Sequence, residues 1–136
     1  MSNTATEMLS VVVKREIPFP PEKIWRALTQ PHLIEEWLMK NDFKPVVGHG
    51  FNLRADWGVV DCQVLAIEPN KTLSYTWAAY GLESVVTWTL TATSTGTHLR
   101  MEQSGFRPDQ QQAYQGAQGG WPQFFANLEQ LLARID

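Results

Sequence analysis

The chain has 136 residues, 43% of them hydrophobic, and a formal net charge of −3. That length suits one domain with one core, and the mild acidity leaves no clustered basic surface for nucleic acid. The lone cysteine, Cys62, excludes an internal disulfide, and His32, His49 and His98 lack metal-ligand spacing, so a reducing, cytoplasmic setting with no metal or cofactor is expected.

Residues 1–8 begin small and polar and are expected to be disordered. They show no basic stretch leading into an apolar one, so no secretory signal is expected. Elsewhere no run reaches the roughly 18–20 apolar residues that span a bilayer, so no stable membrane insertion is expected. Ser10 to Ile17 reads as a strand, with Val11, Val13 and Ile17 on one face. Strict alternation puts Arg15 on that face too. Burying an unpaired charge is costly, so the strand is expected to bend or bulge there and release Arg15 to solvent.

Pro18, Pro20 and Pro21 end the strand, and Pro21 suits a helix first turn. Ile24, Trp25, Ala27 and Leu28 give a short helix through Thr29. Leu33, Ile34, Trp37 and Leu38 give a second one starting near Pro31. Both are too short to stand alone and must pack on a sheet. Then come short alternating strands: Phe51 and Leu53; Val60, Cys62, Val64 and Ala66; Leu73, Tyr75 and Trp77; Val86, Trp88 and Leu90; Leu99 and Met101. Turns at Gly48 to Gly50, Ala55 to Gly58, Pro69-Asn70, Gly81 and Thr95-Gly96 make these an antiparallel meander. The Thr87, Thr89, Thr91 face suits a sheet surface meeting water.

Asp109 reads as a helix N-cap with Gln112 in the reciprocal position. Gly119-Gly120 followed by Pro122 predicts a break and a fresh helix start, with Asp109 to Gln118 as a movable lid carrying Tyr114. From there Trp121, Phe124, Phe125, Leu128, Leu131, Leu132 and Ile135 follow helical spacing. The whole is α+β: a curved antiparallel sheet wrapped around a long C-terminal helix, with two short helices after the first strand.

That order describes a helix-grip fold. The segments Val13-Lys14-Arg15-Glu16-Ile17-Pro18, Pro21 to Thr29, Glu36-Trp37-Leu38, Val64 to Pro69, Leu73 to Trp77, Val85 to Leu90 and Gly120 to Leu128 resemble START-like (SRPBCC) proteins similar to the activator of heat-shock-protein-90 ATPase. The resemblance spans nearly the whole chain. It implies a pollen-allergen-like fold with an apolar hollow between helix and sheet, a theme shared by lipid-transfer domains and polyketide cyclases. A chaperone partner is implied by analogy only, and no counterpart of the eukaryotic co-chaperone's extra N-terminal domain is expected.

The expected function is binding of a small hydrophobic ligand (lipid-like, polyketide or aromatic) in that hollow. Six tryptophans, six phenylalanines and three tyrosines support it. The candidate contacts are Trp57, Tyr75, Trp77, Trp88, Tyr114, Trp121 and Phe125, with a filled core the plainer reading for Trp88. An enzyme of cyclase, dehydratase or hydrolase type would need an acid or base aimed into the hollow. Only Arg15, His49 and Tyr75 qualify, and each has a plainer role, so an enzyme is the lesser reading. Cys62 on an apolar strand face reads as inert core. The Thr-rich face or an uncovered edge strand would serve a homodimer, which the sequence does not require.

Overall fold

The computed structural model describes residues 8–136; the expectation of disorder over residues 1–7 lies outside that range. β1 (Leu9–Ile17) leads into α1 (Pro21–Thr29) and α2 (Pro31–Trp37). Six strands follow: β2 (Lys40–Asn41), β3 (Gly50–Ala55), β4 (Gly58–Glu68), β5 (Thr72–Ala79), β6 (Leu82–Ala92) and β7 (Thr97–Phe106). The helix α3 (Gln111–Arg134) closes the chain. The sheet is antiparallel, in the order β1-β7-β6-β5-β4-β3-β2. This is the α+β helix-grip arrangement, with the long helix on one face of the sheet.

Strand register lines up the inner face in rows. One row reads Val13, Met101, Trp88, Leu73, Ile67 across five strands. The next reads Val11, Gln103, Val86, Tyr75, Val64, so one polar side chain stands in an apolar row. Against these rows α3 buries Trp121, Phe125, Leu128, Leu131 and Leu132. Trp88 is the hub: its ring lies 5.6 Å from Trp37, 5.8 Å from Trp121 and 5.5 Å from Phe125. It ties the α2 end to α3 through the sheet. Its indole N–H donates to the Tyr75 hydroxyl at 3.0 Å, and Trp37 donates to the Ala27 carbonyl at 2.8 Å. These two buried indoles therefore have the partner that burial demands.

Four expectations are corrected. Arg15 does not leave the inner face, because the β1 ladder is regular from Ser10 to Ile17 and its irregularity falls at Leu9/Ser10. The side chain is half-buried, its guanidinium 5.6 Å from the Phe125 ring centre and bonded to the Lys14 carbonyl at 2.8 Å. A cation over an aromatic face at an open edge keeps enough water contact to avoid the burial cost. Ala66 lies outside, because a β4 irregularity between Val64 and Ala66 turns Ile67 inward opposite Leu73. Asp109 does not cap α3. Gln110 takes that position without a side-chain cap, while Asp109 holds Arg107 Nε at 3.1 Å.

The fourth correction matters most. α3 runs from Gln111 to Arg134 without interruption, and Pro122 sits inside it. The missing N–H at Pro122 removes one bond, to the Gln118 carbonyl. Pro122 faces solvent, and the buried residues of the same helix hold the turn together. No hinge separates a lid from the rest.

Removing the hub should be costly. Trp88→Ala is expected to lower stability by about 3–5 kcal/mol, read as a fall in the urea unfolding midpoint; a change under about 1 kcal/mol would contradict a central role for Trp88.

A cavity beneath the first half of the C-terminal helix

The inward stripe of α3 starts earlier than its large residues. Ala113, Gly116, Ala117 and Gly120 keep the i, i+3, i+4, i+7 spacing and lead directly into Trp121 and Phe124. The second half of the helix fills the space above the sheet. The first half carries side chains too small to reach it, and a cavity of about 260 Å³ remains. A Cβ added at Gly116 or Gly120 would meet nothing within 4 Å. Trp77, Leu82, Gln103 and Phe106 form the floor, Trp121 and Phe124 one wall, and Met39 and Trp57 the rim.

Gln103 is the polar group in this apolar lining, and it is only 2% exposed. Its orientation is forced by its neighbours. Oε1 accepts the Trp121 indole N–H at 2.7 Å, and an indole nitrogen can only donate. Nε2 donates to Ser84 Oγ at 3.0 Å, whose own hydroxyl donates to the Trp77 carbonyl at 2.8 Å. Flipping the amide would set two donors against each other. The chain Trp121, Gln103, Ser84, Trp77 thus pins the cavity floor to its wall.

The rim is an aromatic clasp between two hairpin tips. Trp57 lies between β3 and β4, Tyr80 between β5 and β6, and their ring centres are 6.2 Å apart. The Tyr80 hydroxyl donates to the Trp57 carbonyl at 2.5 Å. Tyr80 adopts the left-handed conformation at φ 51°, unusual for a bulky residue. Gly58 permits the contact, since a Cβ there would stand 2.1 Å from the Tyr80 hydroxyl oxygen.

Of the expected contacts, Trp57, Trp77 and Trp121 line this cavity. Tyr75, Trp88 and Phe125 do not; they are buried in the filled core. Tyr114 is half-buried and packs edge-on against Phe106, at 5.6 Å between rings, instead of facing the hollow. Sequence reasoning missed Gln103, Gly116 and Gly120. The signal for the glycines was the continuation of the helical stripe in small residues. For Gln103 it was a polar residue at an inward position of β7. A larger concavity of about 540 Å³ lies elsewhere, against Pro21, Lys71 and Thr89. It opens between α1 and the β4–β5 turn, outside the gap between α3 and the sheet.

Arg15, His49 and Tyr75 all lie off the cavity lining. His49 sits beside the Asp42 carbonyl at 3.2 Å. Among the described residues no group of three or more His, Cys, Asp or Glu is placed to hold a metal ion, and no helix is long and apolar enough to cross a membrane.

The family profile described as Activator of Hsp90 ATPase homolog 1-like protein matches residues 18–133. The chain belongs to that family. No curated protein matches it significantly. Among solved structures, protein MLL2253 from Mesorhizobium loti is 72% identical with a TM-score of 0.91, over 94% of this chain and 99% of that one. DynU16, from the dynemicin biosynthetic locus, is 25% identical with a TM-score of 0.80, over 93% of this chain and 47% of its own. The Aha1 dimer from Colwellia psychrerythraea shares the fold at 22% identity and a TM-score of 0.83, over 91% of this chain and 96% of that one. The helix-grip architecture of this Hsp90-activator-like family member is therefore common to distant relatives.

Two buried groups in the core have raised pKa values. Burial pushes the Cys62 thiol up to about 12 from 9.0, with the charges of Asp61 and Asp42 adding to it. Burial also raises the Tyr75 phenol, partly offset by the Trp88 hydrogen bond and reinforced by Cys62. Both are neutral in the fold and ionise more readily once unfolded. The stability they lend is complete below the thiol's ordinary 9.0 and is lost as pH rises toward about 12. The urea midpoint is expected to fall across that window, and Cys62→Ala to flatten part of the fall. An unchanged slope in the variant would contradict the assignment to Cys62.

Proposed function

We propose that this protein binds a small hydrophobic ligand in the cavity between the first half of α3 and the sheet. The observation that carries the reading is the unfilled stripe. Each helical glycine costs about 1 kcal/mol relative to alanine, and both Gly116 and Gly120 line the cavity. Larger residues there would strengthen the helix and occupy the cavity. Their absence keeps room for something else. The lining is aromatic and aliphatic with one oriented amide, the composition of a small-molecule site. The origin of DynU16 in a biosynthetic locus is in keeping with small-molecule handling. No ionisable side chain lines the cavity among the described residues, which favours binding over acid–base chemistry.

We also infer a self-association surface at β1. Among the described residues no strand covers its outer edge, open edges accept further strands, and the Colwellia relative is a dimer. Sedimentation equilibrium is expected to show a dimer that Val12→Pro weakens; a strict monomer would refute this pairing.

The binding reading is tested by tryptophan fluorescence titration with a panel of aromatic, polyketide-like and fatty-acyl compounds. At least one is expected to give a saturable response. Gly120→Leu should remove that response while keeping the fold. Gly119→Ala, on the exposed side of the helix, should raise stability by about 1 kcal/mol and leave the response intact. No saturable response from any compound would refute the reading.

A further inference from the structure

The walls of the cavity say which ligand chemistry it suits, given the binding reading above on which this inference rests. We propose that the cavity selects a small, uncharged, planar aromatic compound that offers a hydrogen-bond acceptor to Gln103. Three observations lead there. The space is about 260 Å³, just under the roughly 300–1,000 Å³ of most ligand sites, so it suits one or two fused rings and not a long acyl chain. Among the described residues its lining holds no cation to receive a carboxylate and no anion to receive an amine, so a charged ligand would lose its hydration without compensation.

The third observation is the hydrogen-bond inventory of the floor. A glutamine amide has two N–H donors. One goes to Ser84 Oγ, and the network from Trp121 to Trp77 fixes which end of the amide is nitrogen. The second N–H has no acceptor among the described protein groups, and Gln103 borders the cavity. A ligand carbonyl or ether oxygen would complete it. The flat indoles of Trp57, Trp77 and Trp121 around the same space favour a flat partner, since aromatic rings gain from offset or edge-to-face contact.

The test compares four probes on the full chain by isothermal titration and tryptophan fluorescence: coumarin, naphthalene, coumarin-3-carboxylate and palmitate. Coumarin is neutral and flat with a carbonyl acceptor, and naphthalene is a fused two-ring compound without one. Coumarin is expected to bind about tenfold more tightly than naphthalene, the ratio for one net hydrogen bond. Coumarin-3-carboxylate and palmitate should bind at least a hundredfold more weakly at pH 7. Gly120→Leu should abolish coumarin binding; Gly116→Leu serves the same purpose should the first variant not fold. Naphthalene matching coumarin, either anion matching it, or coumarin binding that survives the plugged cavity would overturn the inference. Naphthalene or palmitate binding that the plug removes, with coumarin inert, would overturn it and leave the binding reading standing. Four inert probes would count against both.

Discussion

α3 shares the inner face of the sheet with α1 and α2, and only half of α3 has side chains large enough to reach it. α3 presents an unbroken stripe from Ala113 to Leu132. Beyond Trp121 the stripe is large and the core is closed, with Trp88, Phe125, Leu128 and Leu132 at essentially zero exposure. Before Trp121 the stripe is alanine and glycine. A helix cannot bend inward over such a distance without breaking its own hydrogen bonds, and a sheet cannot rise to meet it. The gap is a geometric consequence of a rigid helix with a step in side-chain size.

The closed half makes the open half affordable. Three glycines and a proline in one helix would destabilise it badly in isolation. Here the aromatic cluster around Trp88 anchors the same helix, with Trp121 reaching back to lie 5.4 Å from Trp77 and 5.8 Å from Trp88. Trp121 is therefore both the last residue of the packed core and the first wall of the cavity. The Trp121–Gln103–Ser84–Trp77 hydrogen bonds fasten helix to sheet at that boundary. Gln103 stands between Val11 and Val86 in its cross-strand row, where an apolar residue would leave the buried Trp121 N–H unpaired.

Much of this was legible in the residues. Period-2 alternation in Val86, Trp88 and Leu90 and the stripe from Trp121 to Ile135 located the sheet and the helix that faces it, because both patterns are set by burial on one side. The failures share a cause: local signals were outweighed by tertiary contacts. Gly119-Gly120 and Pro122 read as a break, yet the packing that begins at Trp121 carries the helix through. Arg15 read as a bulge, yet Phe125 supplies a surface that tolerates its charge. The extent of the cavity was not legible. It depends on which aromatic rings turn toward one another, and Tyr75 and Tyr114 were absorbed by Trp88 and Phe106 instead of facing the hollow.

The central claim is that the space under Ala113 to Gly120 admits a ligand. The most direct measurement is an intermolecular nuclear Overhauser experiment on the labelled protein with coumarin. Cross-peaks from coumarin to the α-protons of Gly116 and Gly120 and to the Trp121 ring are predicted. Cross-peaks confined to the Thr87 to Thr91 face of the sheet, with those glycines silent, would contradict it.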